Sequence, residues 1–338
     1  MPDSEIRTFE SDPKYGGLLH PDFESGVIEK TMQESVVLSN FNRIRDMQAR
    51  EMWFDVRAEL PTASAVDAID EPVPSTLPAK TGKKQSTDQR FEPRIIYAGE
   101  FATWKWFYDA DLEDALSNGY DVIGGDIPLF ASQFGAAIDR AVIWGIGKPR
   151  QWANTPSLWQ RANAAGAVVA PTDNPYVDMF GTGGVNSKIV LSGYRGNRRI
   201  VAAPEMEMVL QGMVDGDGRP IFAQNATLQE TTPFILGGYP LFFPMNGAWD
   251  STRAMMLMAD FNSLVYSIRR NLTFRVTRDG TFTDRNGQVH HLAQENKTVI
   301  IFHMRLGWEV LDPVTQMSQT PVPFAFLGAG AGPVTPTP

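Results

Sequence analysis

The chain has 338 residues, 43% of them hydrophobic and 20% charged, which is enough for a large core in one or two domains. Its formal net charge of −9 argues against a general nucleic-acid binder, and the absence of cysteine excludes disulfides, thiolate zinc sites and cysteine nucleophiles. The opening Met-Pro-Asp-Ser-Glu-Ile-Arg is polar and no apolar run approaches the ~18–20 residues that span a bilayer, so no secretory signal and no membrane partner are expected.

Residues 1–26 are polar and read as an extended arm. Val27, Ile28, Met32, Val36, Val37, Phe41, Ile44 and Met47 then form a weak helical pattern over 27–50. Residues 51–60 alternate, with Met52, Phe54 and Val56 on one side and Trp53, Asp55 and Arg57 on the other, as in a strand. The pattern is lost over 61–92, where prolines surround Lys80, Lys83 and Lys84, and returns as one strand from Arg94 to Trp106. Two strands joined by a long polar tip predict a projecting β-hairpin, and such an exposed edge invites pairing with another chain. Asp109 to Ser117 reads as a short helical turn.

The best helix follows, over 126–147. Asp126 can cap it, Pro128 falls in its first turn, and Ile127, Phe130, Phe134, Ile138 and Ala141 share one face. About 20 residues at 1.5 Å each make a rod roughly 30 Å long, stopped by the segment Gly145 to Pro149. Residues 148–187 are loop-rich, Lys188 to Ser192 reads as a strand, and Pro204 to Met213 as a helix. Short strands are expected at Ile221-Phe222, Phe234 to Leu236, Leu241 to Phe243 and Ala254 to Ala259. From Leu264 the β character strengthens, with hairpin turns at Asp279-Gly280 and Asn286-Gly287. Thr298 to Leu306 and Pro323 to Leu327 complete the sheet, and the Gly/Pro/Thr-rich end from Gly328 has too few apolar groups to fold alone. This mixture is α+β rather than doubly wound.

The residues offer no catalytic constellation. None of the four histidines, His20, His290, His291 and His303, sits in a His-Glu-x-x-His arrangement, and His290-His291 reads as a solvated strand end. Gly181-Thr-Gly-Gly before Lys188 lacks the following helix that a phosphate loop needs, and reads as a flexible loop. Asp215-Gly-Asp-Gly lacks the late bidentate Glu of a calcium loop. Asp109, Asp111, Glu113 and Asp114 are better read as helix-start acids than as paired catalytic carboxylates. No cofactor and no metal are expected. Arg198, Arg199, Arg269 and Arg270 suggest salt bridges between subunits. An arm, a hairpin and a long helix without catalytic residues point to assembly.

In order along the chain, these features resemble the major capsid proteins of tailed bacteriophages, with the Hong Kong 97 fold, over residues 18–327. Leu18-Leu-His-Pro-Asp-Phe is similar to the family's arm, residues 52–105 to its extended loop, and Phe107 to Ala115 to the acidic segment before its spine helix. Ala136 to Gly147 resembles the end of that helix. Val209 to Pro220 and Leu236-Gly-Gly-Tyr-Pro-Leu resemble the axial domain, and Ala259-Asp-Phe-Asn resembles the step back, with Ala259 in place of the usual glycine. Thr298 to Leu311 and Pro323-Phe-Ala-Phe-Leu resemble the closing strands.

The resemblance implies an N-terminal arm and following segment at 1–50, an extended loop at 51–106, and a peripheral domain at 107–194 with its spine helix at 126–147. It implies an axial domain at 195–262, return strands at 263–327 and a tail at 328–338. The implied function is a major capsid protein, not an enzyme, that forms hexamers and pentamers of an icosahedral shell around phage double-stranded DNA. The implied place is the virion capsid, assembled in the host cytoplasm. Partners are further copies of itself, a portal, decoration proteins and a separate scaffold, since no long charged helical scaffold segment begins the chain. DNA is enclosed without sequence-specific binding. Lys80, Lys83 and Lys84 at the loop tip, with Arg198, Arg199, Arg269 and Arg270, become assembly residues. A covalent cross-link between such a lysine and Asn296 is not expected. The alternatives are an encapsulin-type nanocompartment shell and, remotely, a carboxylate-dependent hydrolase built on Asp109 to Asp114.

Overall fold

The computed structural model describes residues 35–58, 91–110, 127–213, 234–283, 287–318 and 320–329. The loop tip with Lys80, Lys83 and Lys84, the acids Asp111, Glu113 and Asp114, the cap Asp126, the strand Ile221-Phe222, the Asp215 turn and Asn286 lie outside the described residues.

The expected helix at 27–50 survives in the described part only as α1 (Val36–Asn40). Beyond it the backbone is claimed by a strand: β1 (Asn42–Arg43) pairs in parallel with Val265 and Tyr266, and the amides of Ile44 and Met47 donate to Tyr266 and Ile268. The chain then forms β2 (Glu51–Arg57), which buries Met52 and Val56 and exposes Trp53, as the alternation predicts. Its antiparallel partner is β3 (Phe91–Tyr97). The single strand expected at Arg94 to Trp106 is two. It breaks at Ala98, and β4 (Gly99–Tyr108) joins a different sheet.

The long helix is α2 (Ile127–Asp139), which widens into a π turn at Arg140–Trp144 and ends at Gly145 in the left-handed conformation. Phe130, Phe134, Ile138 and Ala141 are buried on the expected face. The following helices are α3 (Leu158–Ala164), α4 (Pro175–Phe180) and α5 (Val185–Leu191), with β5 (Val168–Val169) between the first two. A capping box at Ser157 and Gln160 starts α3. The strand expected at Lys188 is therefore the second half of a helix. Val185 and Ile189, one turn apart, are buried where α5 contacts the sheet, and this packing overrides the β preference of Ile189-Val190.

The chain continues through β6 (Arg198–Ala202), α6 (Met206–Gln211), β7 (Phe234–Leu236), β8 (Tyr239–Phe242) and β9 (Ala254–Asp260). It ends with β10 (Leu264–Thr277), β11 (Thr281–Thr283), β12 (Val289–His291), α7 (Leu292–Glu295), β13 (Lys297–Val310) and β14 (Phe324–Gly328). Asp279-Gly280 does not fold β10 back on itself. It passes the chain to β11, whose partner is β12, while β10 pairs with β13 from Leu264↔Val310 to Thr277↔Val299.

Two sheets organise the described residues. One has four strands in the order β1-β10-β13-β4, and the other six in the order β5-β14-β9-β6-β8-β7. The last strand, β14, lies inside the six-stranded sheet between β5 and β9, not beside β13. Helices α3 and α5 also pack against β14, so residues 158–191 sit on the six-stranded sheet.

Helix α2 and its π turn run across both sheets. At one end Phe130 meets Phe302 of β13, with ring centroids 4.3 Å apart. At the other, Trp144 meets Phe326 of β14 at 5.9 Å and Trp249 at 5.2 Å. The two sheets share one continuous core through this rod. A smaller cluster of Met47, Met52, Ile96, Ala98 and Val265 seats the β2–β3 hairpin.

Candidate assembly surfaces

The hairpin root is built by close backbone approach. Gly307 of β13 faces Ile96 and Tyr97 of β3: a Cβ placed there would lie 2.3 Å from Ile96 Cγ2 and 2.8 Å from the Tyr97 carbonyl oxygen. Trp152 braces the same corner, its indole N–H donating to the Tyr97 carbonyl at 2.7 Å. Beside the root lies a groove of about 730 Å³ between β2–β3, the 154–156 loop and residues 309–324. Its walls carry paired charges: Arg94 meets Asp312 at 3.0 Å, and Arg161 pairs with Glu309 while lying over Trp308. A direct consequence is a surface of mixed sign beside the β2–β3 strand pair.

The predicted arginines divide between the sheets. Arg198 donates to Asn186 and lies 4.7 Å from the Tyr239 ring centroid. Arg199 donates to Asn197 and to Asn40, at 3.1 and 3.2 Å. These two guanidinium groups are thus engaged within the subunit. Arg269 is half-buried and Arg270 exposed on β10, where its pairing with β13 is irregular and Arg270 stands opposite Arg305. Arg305 in turn pairs with Glu100 of β4 at 3.2 Å.

His290 is not a solvated strand end. It is buried, stacked on Phe282 at 4.9 Å and near Trp106, because the β11–β12 strands fold over the end of the four-stranded sheet. The Lys297 ammonium sits 4.2 Å from the Trp106 centroid and 3.1 Å from His290 Nδ1, and it donates to Glu295 at 2.5 Å. Lys297 above all, then the His291 amide and His290, hold the Glu295 carboxyl down at about 2, against an ordinary 4.5. A depressed folded value stabilises above the unfolded value and loses that effect in acid. The clamp should therefore be intact above about pH 4.5 and released as the pH falls towards 2. Trp106 fluorescence should report a transition in that window, and Glu295→Gln should remove it.

Among the described residues no group of three or more His, Asp or Glu could hold a metal ion, and no helix is long and apolar enough to cross a membrane. Asp109 accepts a hydrogen bond from the Thr298 hydroxyl and lies 4.0 Å from Arg278, a structural use of that carboxylate. The Gly181 to Gly184 stretch does lead into a helix, α5. The Lys188 ammonium, however, turns away to donate to the Gly166 carbonyl at 2.9 Å. Sequence reading meets Asp139 only as part of the 136–147 resemblance and gives it no role; it is fully buried in the last turn of α2. The available signal is its conflict with the helix dipole, which disfavours an acid at that end.

Solved structures share this architecture. A chain from Mycobacterium phage Cain is 23% identical, with a TM-score of 0.68 over 87% of this chain and 90% of that one. One from Mycobacterium phage Adephagia is 22% identical, with a TM-score of 0.67 over 90% and 92%. A third, described as the capsid of an empty GTA particle computed with C5 symmetry, is 17% identical at a TM-score of 0.53 over 88% and 90%. No curated protein matches the chain. The fold is the Hong Kong 97-like fold of capsid shells. The family described as the phage capsid family matches residues 16–314, and the chain belongs to it. Its function is that of a major capsid protein, a structural subunit that self-assembles into the capsid of the virion.

Proposed function

We propose that the chain assembles as hexamers and pentamers into an icosahedral shell around phage double-stranded DNA, without enzymatic activity of its own. The observation that carries this reading is the family match over residues 16–314, together with a hairpin whose root is fixed on a rigid sheet. The same family match favours a phage shell over a nanocompartment. In this reading the four-stranded sheet with α2 forms the peripheral domain, and the six-stranded sheet with α3 to α6 forms the axial domain. The axial part then begins before residue 195 and recovers β14 at its end. A separate scaffold protein, a portal and decoration proteins complete the partners, and assembly takes place in the host cytoplasm. Many modest contacts repeated by closed symmetry supply the stability of such a shell.

Co-expression with a scaffold protein of the same phage should give closed shells by electron microscopy. Monomers alone under those conditions would overturn the reading. Lys83→Ala, in the segment the sequence reads as the loop tip, should leave the thermal melt of the subunit unchanged and lower shell yield. The same holds for Arg270→Ala, an exposed strand position whose loss is expected to cost less than about 0.5 kcal/mol of subunit stability.

A further inference from the structure

Among the described residues, the buried Asp139 carboxylate pairs with no cation and accepts from four donors. Its Oδ1 accepts from the Ser35 hydroxyl at 2.7 Å and the Val37 amide at 3.0 Å. Its Oδ2 accepts from the Val36 amide at 2.9 Å and the Asn246 side chain at 2.7 Å. Burial pushes its carboxyl up from the ordinary range, and the hydrogen bonds from Val37, Ser35, Asn246 and Val36 oppose that.

These donors come from two distant parts of the chain. Ser35 to Val37 open α1, and their amides have no partner within so short a helix. Asn246 belongs to a loop that the π turn after α2 holds twice more, through Arg140 on the Gly247 carbonyl and the Trp144 indole on the Ala248 carbonyl. Gly135 lets α2 come this close, since a Cβ there would lie 3.3 Å from the Ser35 nitrogen. The far end of α1 is held by Arg199 on Asn40. Segment 35–40 is thus fixed at both ends.

We propose that Asp139 is a positioning residue for shell assembly: it anchors the root of the N-terminal segment, residues 35–40, together with the 246–248 loop on α2 as one unit, so that this part of the subunit meets a neighbouring copy in a single arrangement. This rests on the assembly reading above. An aspartate suits the task because it accepts four hydrogen bonds and donates none. Asparagine would turn an NH2 group against amide or Asn246 donors.

The test uses the full chain. In Asp139→Asn, amide exchange at Val36 and Val37 should accelerate at least roughly tenfold, while Ile300 and Phe302 in β13 keep their wild-type rates. Shell yield with co-expressed scaffold should fall by a similar factor. Two milder variants cover the event that Asp139→Asn does not fold. Asn246→Ala should lower the yield of shells reassembled in vitro with purified scaffold at every pH. Asn246→Asp faces Asp139 with a second carboxylate, and should recover yield between pH 7 and 5 as the pair comes to share one proton. Wild-type exchange at Val36 and Val37 with normal shells in Asp139→Asn would overturn the inference. So would identical pH profiles for the two Asn246 variants. If the wild-type chain makes no shells, the assembly reading fails by itself. The exchange measurement still decides whether Asp139 holds the root.

Discussion

Phe134→Asp is expected to abolish folding. Phe134 is 2% exposed at the middle of α2, within the core that both sheets share. Truncating a buried Phe costs about 3–5 kcal/mol through lost transfer and the cavity left behind. An unpaired carboxyl in that place adds several kcal/mol more. The sum reaches the ~5–15 kcal/mol that separates a native domain from its unfolded chain. Far-UV circular dichroism should show lost cooperative melting, and shells should be absent. Phe134→Met, which stays apolar and removes only about one methylene of volume, should cost about 1.5 kcal/mol and keep assembly. A cooperative melt in Phe134→Asp would show that α2 does not carry the core.

Gly307→Val is expected to have the second largest effect, and at a different level. The clash at Gly307 is partly with backbone, the Tyr97 carbonyl, so no rotamer change in β3 can relieve it. Overpacking of this kind costs about 1–3 kcal/mol or more. The displaced element is the β2–β3 hairpin, not the main core. The subunit should therefore still melt cooperatively at a lower temperature, while shell yield falls at least roughly tenfold as the hairpin changes its angle. The nearest atom, Ile96 Cγ2, belongs to a side chain that can be shortened. Adding Ile96→Ala to Gly307→Ala should therefore cost less than the sum of the two single changes, with a coupling of about 0.5–3 kcal/mol in a double-mutant cycle. Additive effects would mean that the two residues do not share the contact.

Much of this molecule is legible because local signals and final packing agree. The face of α2 at Phe130, Phe134, Ile138 and Ala141 repeats with the helical period and is buried as that period requires. The alternation of Met52 and Val56 against Trp53 gives β2, and Gly145 ends the long helix in the left-handed conformation that favours glycine. The disagreements share one cause, a partner far along the chain. Ile44 and Met47 carry a helical pattern, but Tyr266 and Ile268 supply carbonyls that hold their amides in a strand-like path. Ile189 and Val190 favour a strand, but β14 offers a surface that α5 covers as a helix. His290 follows turn residues and reads as solvated, yet Phe282 and Trp106 close over it.

The α+β character, the long helix, the strand β2 and the order of parts that matches the phage capsid family are all legible along the chain. All of these rest on periodicity, turn chemistry and composition, which act over a few residues. Only the tertiary structure decided that β14 enters the six-stranded sheet, that Gly307 seats the hairpin, and that α2 bridges both sheets. It also decided that Asp139 holds Ser35 and Asn246, partners 104 and 107 residues away. A buried carboxylate is tolerable only where donors converge on it. That convergence is a property of the folded backbone, which no stretch of sequence around residue 139 contains.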